Sequence, residues 1–404
     1  MPSVAYICTT FPKDTEQFIR REAHSLRALG VDLRVYSLWG GGVCAGLRVE
    51  TFPKWKLLTL VWHIPFFVVT RPRLFGRLVN GLCTRRPPSW LNFWENMLGA
   101  GFAAIHAARF RRDRPDLVHA AWGGAPATAA WLLRQLDGYP YSLACHAYDI
   151  YQDGGDWWLT EKATDAAFVH TSTAMGRSSL IVRGVQPDKI HAILSGLPAR
   201  PAMKPLRAPR TDLRLLCVAR LVPKKGLDHQ LRIYAALKAA GVTFEARITG
   251  DGPLRAELET LARELGVDGQ VKFLGHRPPA EIAEHLAWAD VMLHTGVIAA
   301  DGDRDGLPNV IPEAMAAGVL VVTSPAAATL EAITRDVTGL VADPAQPARW
   351  VDSLTALRDD ETRAARLQKS ARSWVDDYFD ADKNTARLAG LFEAVIKSGP
   401  SGAL

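Results

Sequence analysis

Short apolar runs alternate with amphipathic stretches along most of the chain, and this alternation constrains the fold more than any other feature. In the first half, the apolar run at 4–12 predicts a first strand that ends in a Pro-containing loop, and further runs predict strands at 32–38, 116–122 and 140–150. Helical spacing predicts helices at 16–30 and 125–136. The pattern starts again at residue 213 and continues to residue 324. It predicts an α/β protein with two doubly wound, Rossmann-like domains, each a parallel sheet covered by helices on both faces.

The boundary between the two domains is predicted in a stretch rich in proline, arginine and lysine, residues 197–212. A chain of 404 residues is long enough for two domains that each bury a core. We therefore predict an N-terminal domain at 1–198, a C-terminal domain at 199–375 and a final helical segment at 376–404.

Composition narrows the class of protein without fixing its partner. A formal net charge of +6 favours anionic partners such as nucleotide diphosphates, lipid head groups or nucleic acid. The five cysteines are scattered and form no Cys-x-x-Cys pair, which argues against a zinc ribbon or a thioredoxin-type site and suits a reducing compartment. The N-terminus has no basic region before its short apolar run, so it predicts a first strand and not a signal peptide.

One segment, residues 51–94, departs from the alternation. No acidic residue lies between Glu50 and Glu95, and the apolar run at 57–69 is too short to span a bilayer. Apolar and aromatic residues bordered by cations suit an interfacial anchor on anionic lipid, and a core helix pair with a solvated basic rim is the alternative. The cations of this segment are Lys54, Lys56, Arg71, Arg73, Arg77, Arg85 and Arg86.

A loop near the three-quarter point carries the alternating aspartates Asp301, Asp303 and Asp305. A calcium loop of the EF-hand type would need a carboxylate at position 312, where Pro312 stands, and would follow a helix instead of an apolar strand. A metal-binding Asp-x-Asp motif at 301–303 stays possible, although Asp-Gly-Asp is also ordinary turn chemistry. We predict no metal site here and assign no role to Asp301 and Asp303.

The residues after this loop predict a helix start that suits a sugar nucleotide. Pro312 is tolerated in a first helical turn, and free backbone amides at such a start bind anions such as a diphosphate. In this interpretation Glu313 accepts hydrogen bonds from ribose hydroxyls and Asp305 contacts a sugar hydroxyl. The predicted donor-binding residues of this stretch are Gly306, Leu307, Pro308, Asn309, Val310 and Glu313.

The stretch "RDGLPNVIPEAMAAG", residues 304–318, resembles the acidic-x7-Glu signature of glycosyltransferase family 4, whose members are retaining enzymes of GT-B fold. The first acid is commonly glutamate in that family and is Asp305 here. "VARLVPKKGLD" and "ITGDGPLRAELE" match two further family elements, and "YPYSLACHAYDIY" resembles the exopolysaccharide members of the colanic-acid type. The resemblance extends through most of the chain.

This resemblance implies a GT-B fold with two domains facing a cleft and a last helix that returns to the first domain. It assigns Arg220 and Lys225 to the diphosphate, where their charge replaces a metal ion, and it assigns His146 to the donor sugar. With Asp305, these are the predicted catalytic residues. Gly252 belongs to the Gly-Asp-Gly-Pro turn of the family and is predicted to be a donor-binding residue. The resemblance implies no cofactor.

The chain also departs from the family pattern. Ala121 stands where a second histidine is expected, Ala326, Ala327 and Ala328 replace a Gly-Gly pair, and residues 11–18 replace a glycine-rich acceptor loop. Within that replacement, Glu16 and Phe18 are predicted to bind the acceptor. Asp149 is placed with them and either orients His146 or caps a turn, and His119 and Trp122 are interpreted as packing residues.

The resulting hypothesis is a retaining, metal-independent hexosyltransferase that uses a UDP- or GDP-sugar and a lipid-linked saccharide acceptor in exopolysaccharide or cell-surface glycan synthesis. The segment 51–94 predicts a peripheral position on the cytoplasmic face of the inner membrane, and no nucleic acid partner is expected. A nucleotide-sugar 2-epimerase, a phosphorylase or a non-catalytic sugar-nucleotide or membrane-binding module are the alternatives. The phosphorylase class needs a pyridoxal phosphate lysine, which no motif here marks.

Overall fold

The computed structural model describes residues 2–207 and 211–399, which form two compact units. Unit 1 contains the chain up to Pro198 and again from Ala381, and unit 2 contains Ala199–Asp380. The first division lies at the predicted position, and the second lies five residues later than predicted, because a helix of unit 2 runs on to Tyr378. Outside the described residues lie part of the predicted linker, residues 208–210, and parts of the predicted terminal segments, residue 1 and residues 400–404.

Unit 1 alternates strands and helices. Its strands are β1 (Ser3–Cys8), β2 (Asp32–Ser37), β3 (Arg48–Thr51), β4 (Leu117–Ala120), β5 (Tyr141–Cys145), β6 (Val169–Thr171) and β7 (Ile190–Ala192). Its helices before the linker are α1 (Gln17–Ala28), α2 (Leu60–Thr70), α3 (Pro72–Thr84), α4 (Trp90–Asp113), α5 (Ala125–Asp137), α6 (Ala147–Tyr151), α7 (Leu159–Asp165) and α8 (Ala174–Val182). Within the described residues the sheet is parallel in the order β3-β2-β1-β4-β5-β6-β7, and the order reverses between β1 and β4.

Unit 2 repeats this plan. Its strands are β8 (Leu213–Val218), β9 (Phe244–Thr249), β10 (Val271–Gly275), β11 (Val291–His294), β12 (Leu320–Thr323) and β13 (Leu340–Val341). Its helices are α9 (Leu227–Ala239), α10 (Arg255–Glu264), α11 (Pro279–Trp288), α12 (Val310–Ala317), α13 (Pro347–Asp359) and α14 (Glu361–Tyr378). The described part of its sheet is parallel in the order β10-β9-β8-β11-β12-β13, which reverses between β8 and β11.

The last helix, α15 (Ala381–Ser398), packs in unit 1. Successive residues of β1 face opposite sides of the sheet, so Ala5 and Ile7 join one buried cluster and Val4 and Tyr6 join the other. Phe392 of α15 is fully buried in the second cluster. The helix therefore completes one face of the first sheet although unit 2 lies between them in sequence.

The predicted strand at 140–150 is too long. Strand β5 ends at Cys145, and α6 begins two residues later, because the Asp149 carboxylate binds the backbone N–H of His146 and turns the chain. Ile150 of α6 is as deeply buried as the strand, so the apolar run continues across the turn. Periodicity cannot distinguish a short buried helix from a buried strand in such a run.

The basic and aromatic segment predicted at 51–94 forms α2, α3 and the start of α4. Helix α2 buries none of its residues, and Trp62 and Val69 are each 79% exposed. Every helix in the described ranges is too short or too polar to cross a bilayer. Contact between this segment and a membrane surface stays a prediction.

Candidate functional site

The predicted donor residues gather in unit 2 at the carboxyl edge of the sheet, where the strand order reverses. Lys224 and Lys225 follow β8, and Asp303 and Asp305 follow β11, its neighbour in the sheet. Ligands of open α/β sheets bind outside the carboxyl ends of the strands at such a reversal. The topology therefore brings two pairs of residues, about eighty positions apart in sequence, to a position suited to a ligand.

These four residues form a lysine–aspartate cluster of two ion pairs. Lys225 Nζ lies 2.6 Å from Asp305 Oδ2, and Lys224 Nζ lies 2.9 Å from Asp303 Oδ2. A diagonal contact of 3.6 Å joins Lys224 Nζ to Asp305 Oδ1. All four side chains are mostly buried, so their charges interact more strongly than a surface pair would.

Asp305 stays ionised in this cluster. Burial acts to raise the pKa of its carboxyl group, but the attraction of Lys225, the hydrogen bond from His294 and the charge of Lys224 together hold that pKa well below its ordinary value. His294 Nε2 lies 3.4 Å from Asp305 Oδ2, and burial lowers the pKa of this histidine. Asp305 is therefore a fixed negative charge that can accept hydrogen bonds from a hydroxyl.

The cluster gives roles to the two aspartates that the sequence left unassigned. Asp303 neutralises Lys224, a residue that the sequence analysis missed although it stands next to Lys225 in the same motif. Asp301 is exposed, and its Oδ1 accepts a hydrogen bond of 3.0 Å from the backbone N–H of Asp303. Asp301 thus shapes the turn that presents Asp303.

The residues from Gly306 lead into α12. Leu307 and Asn309 are half-buried, Pro308 is buried, and the helix proper begins at Val310. Pro312 is the third helical residue, and Gly318 ends the helix in a left-handed conformation. Glu313 is half-buried in the first turn, and its backbone N–H donates to the Asn309 carbonyl oxygen at 3.1 Å. The helix start thus lies directly beside Asp305 along the chain.

Two further predicted residues lie near the same sheet edge in different environments. Arg220 is exposed and forms no ion pair within the described part of the chain. Gly252 is required for packing, because a Cβ there would approach the Leu221 carbonyl oxygen to 2.5 Å. Gly250 packs still more closely, since its Cβ would lie 1.8 Å from the Ala219 carbonyl oxygen. These glycines let the loop after β9 pass against the loop that carries Arg220.

At one departure from the family pattern the backbone conformation is unusual for the residue present. Ala327, which stands in place of a glycine pair, adopts a φ of 63°. Residues other than glycine rarely adopt this left-handed conformation, because the Cβ crowds the following carbonyl oxygen. The backbone here keeps a shape suited to glycine although the side chain has changed.

The predicted acceptor residues gather in unit 1 around His146, which follows β5. Its ring lies 5.0 Å from that of Phe18 and 4.7 Å from that of Trp122, measured between centroids. Trp122 Nε1–H donates to Glu16 Oε2 at 3.2 Å. The structure therefore groups Glu16, Phe18 and His146, and it adds Trp122, which sequence reasoning took for packing. Its position just after β4, beside β5 in the sheet, is the signal that could have identified it.

His146 is a neutral imidazole at ordinary pH. Burial, and then the proximity of His170, lower the pKa of its ring to about 3, although a hydrogen bond to the backbone of Ala121 opposes the shift. Its Nε2 atom is buried and has no hydrogen-bond partner within the described residues. The ring can therefore exchange a hydrogen bond with a ligand, but it is poorly suited to donate a proton as an imidazolium.

The Asp149 side chain caps the start of α6 and does not bind the imidazole ring of His146. Its Oδ2 accepts a hydrogen bond of 2.9 Å from the backbone N–H of His146, not from the imidazole. The carboxyl group is buried, and this burial raises its pKa to about 7, while the backbone hydrogen bonds from His146 and Gly123 oppose the shift. Asp149 thus positions His146 through the backbone.

Comparisons with known proteins identify the family. Residues 15–196 match the glycosyl transferase 4-like domain, and residues 200–374 match glycosyl transferases group 1. The chain is 34% identical to the amylovoran biosynthesis glycosyltransferase AmsK of Erwinia amylovora over 96% of this chain and 99% of that protein. It is also 34% identical to the putative colanic acid biosynthesis glycosyltransferase WcaL of Escherichia coli over 48% of each chain.

A solved structure shows the same fold. The crystal structure of Anabaena Alr3699/HepE in complex with UDP superimposes with a TM-score of 0.70 at 18% sequence identity, covering 98% of this chain and 100% of the other. Two parallel sheets of seven and six strands in the described residues agree with this likeness. The chain therefore belongs to glycosyltransferase family 4, with the GT-B fold, and is an exopolysaccharide-type glycosyltransferase.

Proposed function

We propose that this glycosyltransferase moves a hexosyl unit from a UDP- or GDP-hexose to a lipid-linked saccharide, with retention of anomeric configuration and without a metal ion or other cofactor. The observation that carries the proposal is the convergence of Lys225, Asp305 and the start of α12 at one sheet edge in unit 2. Ammonium groups and helix-start amides are suited to a diphosphate, and a fixed carboxylate is suited to a sugar hydroxyl.

Charge balance in the cluster explains how the donor would be accepted. Lys224 and Lys225 are each paired with an aspartate, whereas Arg220 is exposed and ready to meet a phosphate. An incoming diphosphate competes with Asp305 for Lys225. Once that pair loosens, the Asp305 carboxylate can accept a hydrogen bond from the sugar. Glu313, in the first turn of α12, binds the ribose hydroxyls of the donor.

The proposed chemistry is a front-face displacement. The bond between the anomeric carbon and the leaving phosphate oxygen breaks as the acceptor oxygen bonds to the same face of that carbon. The leaving phosphate accepts the proton of the acceptor hydroxyl. Arg220, Lys225 and the positive end of α12 stabilise the charge that develops on the departing nucleotide, which is the work a metal ion would otherwise do. His146, as a neutral ring, supplies a hydrogen bond to the sugar.

The acceptor and the location of the enzyme are inferred from other features. AmsK and WcaL are named for amylovoran and colanic acid biosynthesis, which supports an acceptor in exopolysaccharide assembly. The exposed apolar surface of α2 and the cations of 51–94 favour a peripheral position on the cytoplasmic face of the inner membrane. The group around His146, with Glu16, Phe18 and Trp122, is our candidate for the saccharide end of the acceptor.

Assay of a donor panel tests the proposal. We expect one of UDP-glucose, UDP-galactose or GDP-mannose to release its nucleotide only with a polyprenyl diphosphate-linked saccharide present, and proton NMR of the product to show the donor's anomeric configuration. Glu313→Ala should abolish turnover, while Glu264→Ala, an exposed carboxylate in the same unit, should not. An inverted product would refute retention, and a free epimer would point to an epimerase. Donor binding without turnover of any acceptor would point to a binding module.

A further inference from the structure

Unit 1 contains an apolar cavity of about 510 Å³, walled by α2, α3, α4 and α5 and by the residues just before α7. Its size falls within the range of about 300–1,000 Å³ that is usual for small-molecule sites. The polar members of its lining are Arg71, Asn96, Thr128 and Lys162, and every other lining residue is aliphatic, aromatic or glycine. Water in such a space finds few hydrogen-bond partners, so a hydrocarbon group is the better occupant.

The polar floor of the cavity is already satisfied by the protein. Lys162 is 1% exposed and pairs with Asp156. Its Nζ also lies 3.1 Å from Asn96 Oδ1 and 3.3 Å from Thr128 Oγ1. An ammonium group has three donors, and these partners use all three. The floor therefore offers nothing to a polar head group and can face only a hydrocarbon chain.

Two buried donors in the wall remain without an acceptor. Trp157 and Trp158 line the cavity, and neither indole N–H has a hydrogen-bond partner in the described part of the chain. Buried donors nearly always find an acceptor, from the protein, from water or from a ligand. A ligand oxygen atom inside the cavity would supply the acceptor that these two indoles lack.

The rim of the cavity carries positive charge that suits a phosphate. Arg71 lines the cavity and is also exposed, and Arg73 is exposed two residues further along, at the start of α3. No acidic residue occurs from residue 51 to residue 94, so these cations meet no neighbour of opposite charge within their own segment. Guanidinium groups in such a setting match the charge of a phosphate ester.

The same helices expose several large apolar side chains. Trp62 and Val69 on α2, with Trp90 and Leu91 at the start of α4, are exposed. Apolar patches of this kind mark interaction sites, and with a cationic border they suit an anionic bilayer. A ligand whose tail normally lies in lipid would thus reach the cavity without crossing water.

The wall of the cavity is continuous with the predicted acceptor group. His146 and Asp149 begin the segment that ends in Trp157 and Trp158, and the Asp156 backbone N–H donates to the Asp149 carbonyl oxygen at 2.7 Å. One short segment therefore carries the saccharide-side histidine at one end and the cavity wall at the other. A single ligand with a sugar head and a hydrocarbon tail would contact both ends.

We propose that this cavity binds the isoprenoid chain of the acceptor next to its phosphate, so that the tail as well as the saccharide is recognised. This inference rests on the proposed function, because it presumes that a lipid-linked saccharide is the acceptor. It adds a tail-binding site that selects acceptors by their hydrocarbon part. Anchoring to the bilayer alone would not give such selectivity, because bulk lipid and acceptor would then be held by the same surface.

Filling the cavity from α4 tests the proposal. Ala100 and Ala104 line it one helical turn apart, while Ala108 continues the same helix outside the lining and is exposed. We expect Ala100→Phe and Ala104→Phe to weaken binding of farnesyl phosphate, followed by tryptophan fluorescence below its micelle concentration, and Ala108→Phe to leave it unchanged. A loss of at least about tenfold is expected, since this ratio matches about two methylene groups denied burial.

Activity assays in the same variants separate this proposal from the proposed function. With wild type, kcat/KM should be higher for a farnesyl-tailed acceptor than for the same saccharide diphosphate with a two-carbon tail, and cavity filling should remove the difference. Farnesyl phosphate binding that persists in the filled variants would overturn the cavity assignment. Cavity-dependent binding with kcat/KM indifferent to the tail would assign the cavity to bulk lipid and overturn it too. Binding as expected without transfer to any acceptor would instead overturn the proposed function.

Discussion

At the scale of single residues, the two candidate groups use burial in different ways. In the lysine–aspartate cluster, opposite charges outweigh the cost of burial, so Asp305 stays ionised. Around His146 burial prevails, so the imidazole stays neutral and the pKa of Asp149 rises to about 7, although Lys162 and the backbone hydrogen bonds to this carboxyl group oppose the rise. We propose that the lysines of the first group meet a diphosphate, and that the neutral polar and aromatic side chains of the second group meet a sugar.

Arg220 provides a direct test of the diphosphate role. Because its side chain is exposed and unpaired within the described residues, Arg220→Gln should change the free energy of unfolding by less than about 0.5 kcal/mol. Turnover should fall by about 10²–10³-fold, as expected when a group that stabilises charge in the transition state is removed. Arg232→Gln, an exposed arginine on α9, is the matched control for steady-state kinetics. Equal activity of both variants would remove Arg220 from the mechanism.

Asp149 predicts a pH dependence of stability. Its pKa of about 7 in the folded protein lies above the ordinary value of 3.8, so the folded state binds this proton more tightly than the unfolded state does. The stabilising contribution is complete below about pH 4 and is lost as pH rises through about 7. Asp149→Asn should remove this component. The difference in unfolding free energy between wild type and variant should change by up to about 1.4 kcal/mol per pH unit in that window.

Chemical denaturation at pH 4.5, 6 and 7.5 measures this difference. Comparing the two proteins at each pH cancels the contribution of other groups, such as Glu95, whose pKa is also raised by burial. A difference that stays constant from pH 4.5 to 7.5 would show that Asp149 is ionised throughout.

At the scale of elements, both groups lie where parallel strands end. The loops after β8 and β11 carry the lysine–aspartate cluster, and the loops after β4 and β5 carry Trp122 and His146. Parallel order places these carboxyl ends on one edge of each sheet, so residues far apart in sequence meet without a long insertion. Helix α15 shows a different use of an element, since it covers a face of the first sheet.

The last helix predicts a large loss of stability at one position. Phe392 of α15 is fully buried, with ring centroids 5.0 Å from His119 and 6.1 Å from Phe168. Phe392→Ala should lower the free energy of unfolding of unit 1 by about 3–5 kcal/mol, because it leaves a cavity in that core. Glu393→Ala, the exposed neighbour that pairs with Lys397, should cost less than about 0.5 kcal/mol in the same guanidinium titration. Similar losses for the two variants would mean that α15 does not support the sheet.

At the scale of the whole molecule, the chain is two units that each have a buried core and a candidate group of their own. Unit 1 adds an apolar cavity and an exposed apolar surface, which suit a lipid-linked substrate. Unit 2 adds the cationic cluster, which suits a nucleotide. We propose that the two substrates of the transferase bind to different units, so transfer activity, and with it any metal requirement, has to be measured on the intact enzyme.

We expect transfer by the intact enzyme to be independent of a metal ion. Transfer activity should survive EDTA, because Arg220, Lys225 and the start of α12 serve the diphosphate. Asp301→Ala should also retain activity, since Asp301 acts on a turn and its side chain is exposed. Loss of activity with EDTA, restored by manganese and abolished again in Asp301→Ala, would establish the Asp-Gly-Asp motif as a metal site and refute the cationic mechanism.

Much of the fold follows from local pattern. Strand and helix periodicities depend on which neighbouring residues are buried, so the apolar runs located nine of the thirteen described strands. The four strands that were not predicted, β3, β6, β7 and β13, have only two to four residues each and are too short to show a pattern. At residues 140–150 the run of buried residues predicted one long strand. The strand in fact ends at Cys145, where the side chain of Asp149 turns the chain by binding the backbone N–H of His146. The spacing of Asp305 and Glu313 across a helix start is also local, which is why the sequence indicated the donor site.

The tertiary structure decided what depends on pairs of residues distant in sequence. Asp303 meets Lys224 from 79 positions away, and Trp122 meets Glu16 from 106 positions away, and no local signal encodes either contact. The apolar cavity likewise exists only where four helices meet Trp157 and Trp158. The sequence by itself determined two Rossmann-like sheets and the residues at their edges. Only the packing of the chain decided which charges neutralise each other and which apolar residues enclose a space, because both depend on long-range geometry.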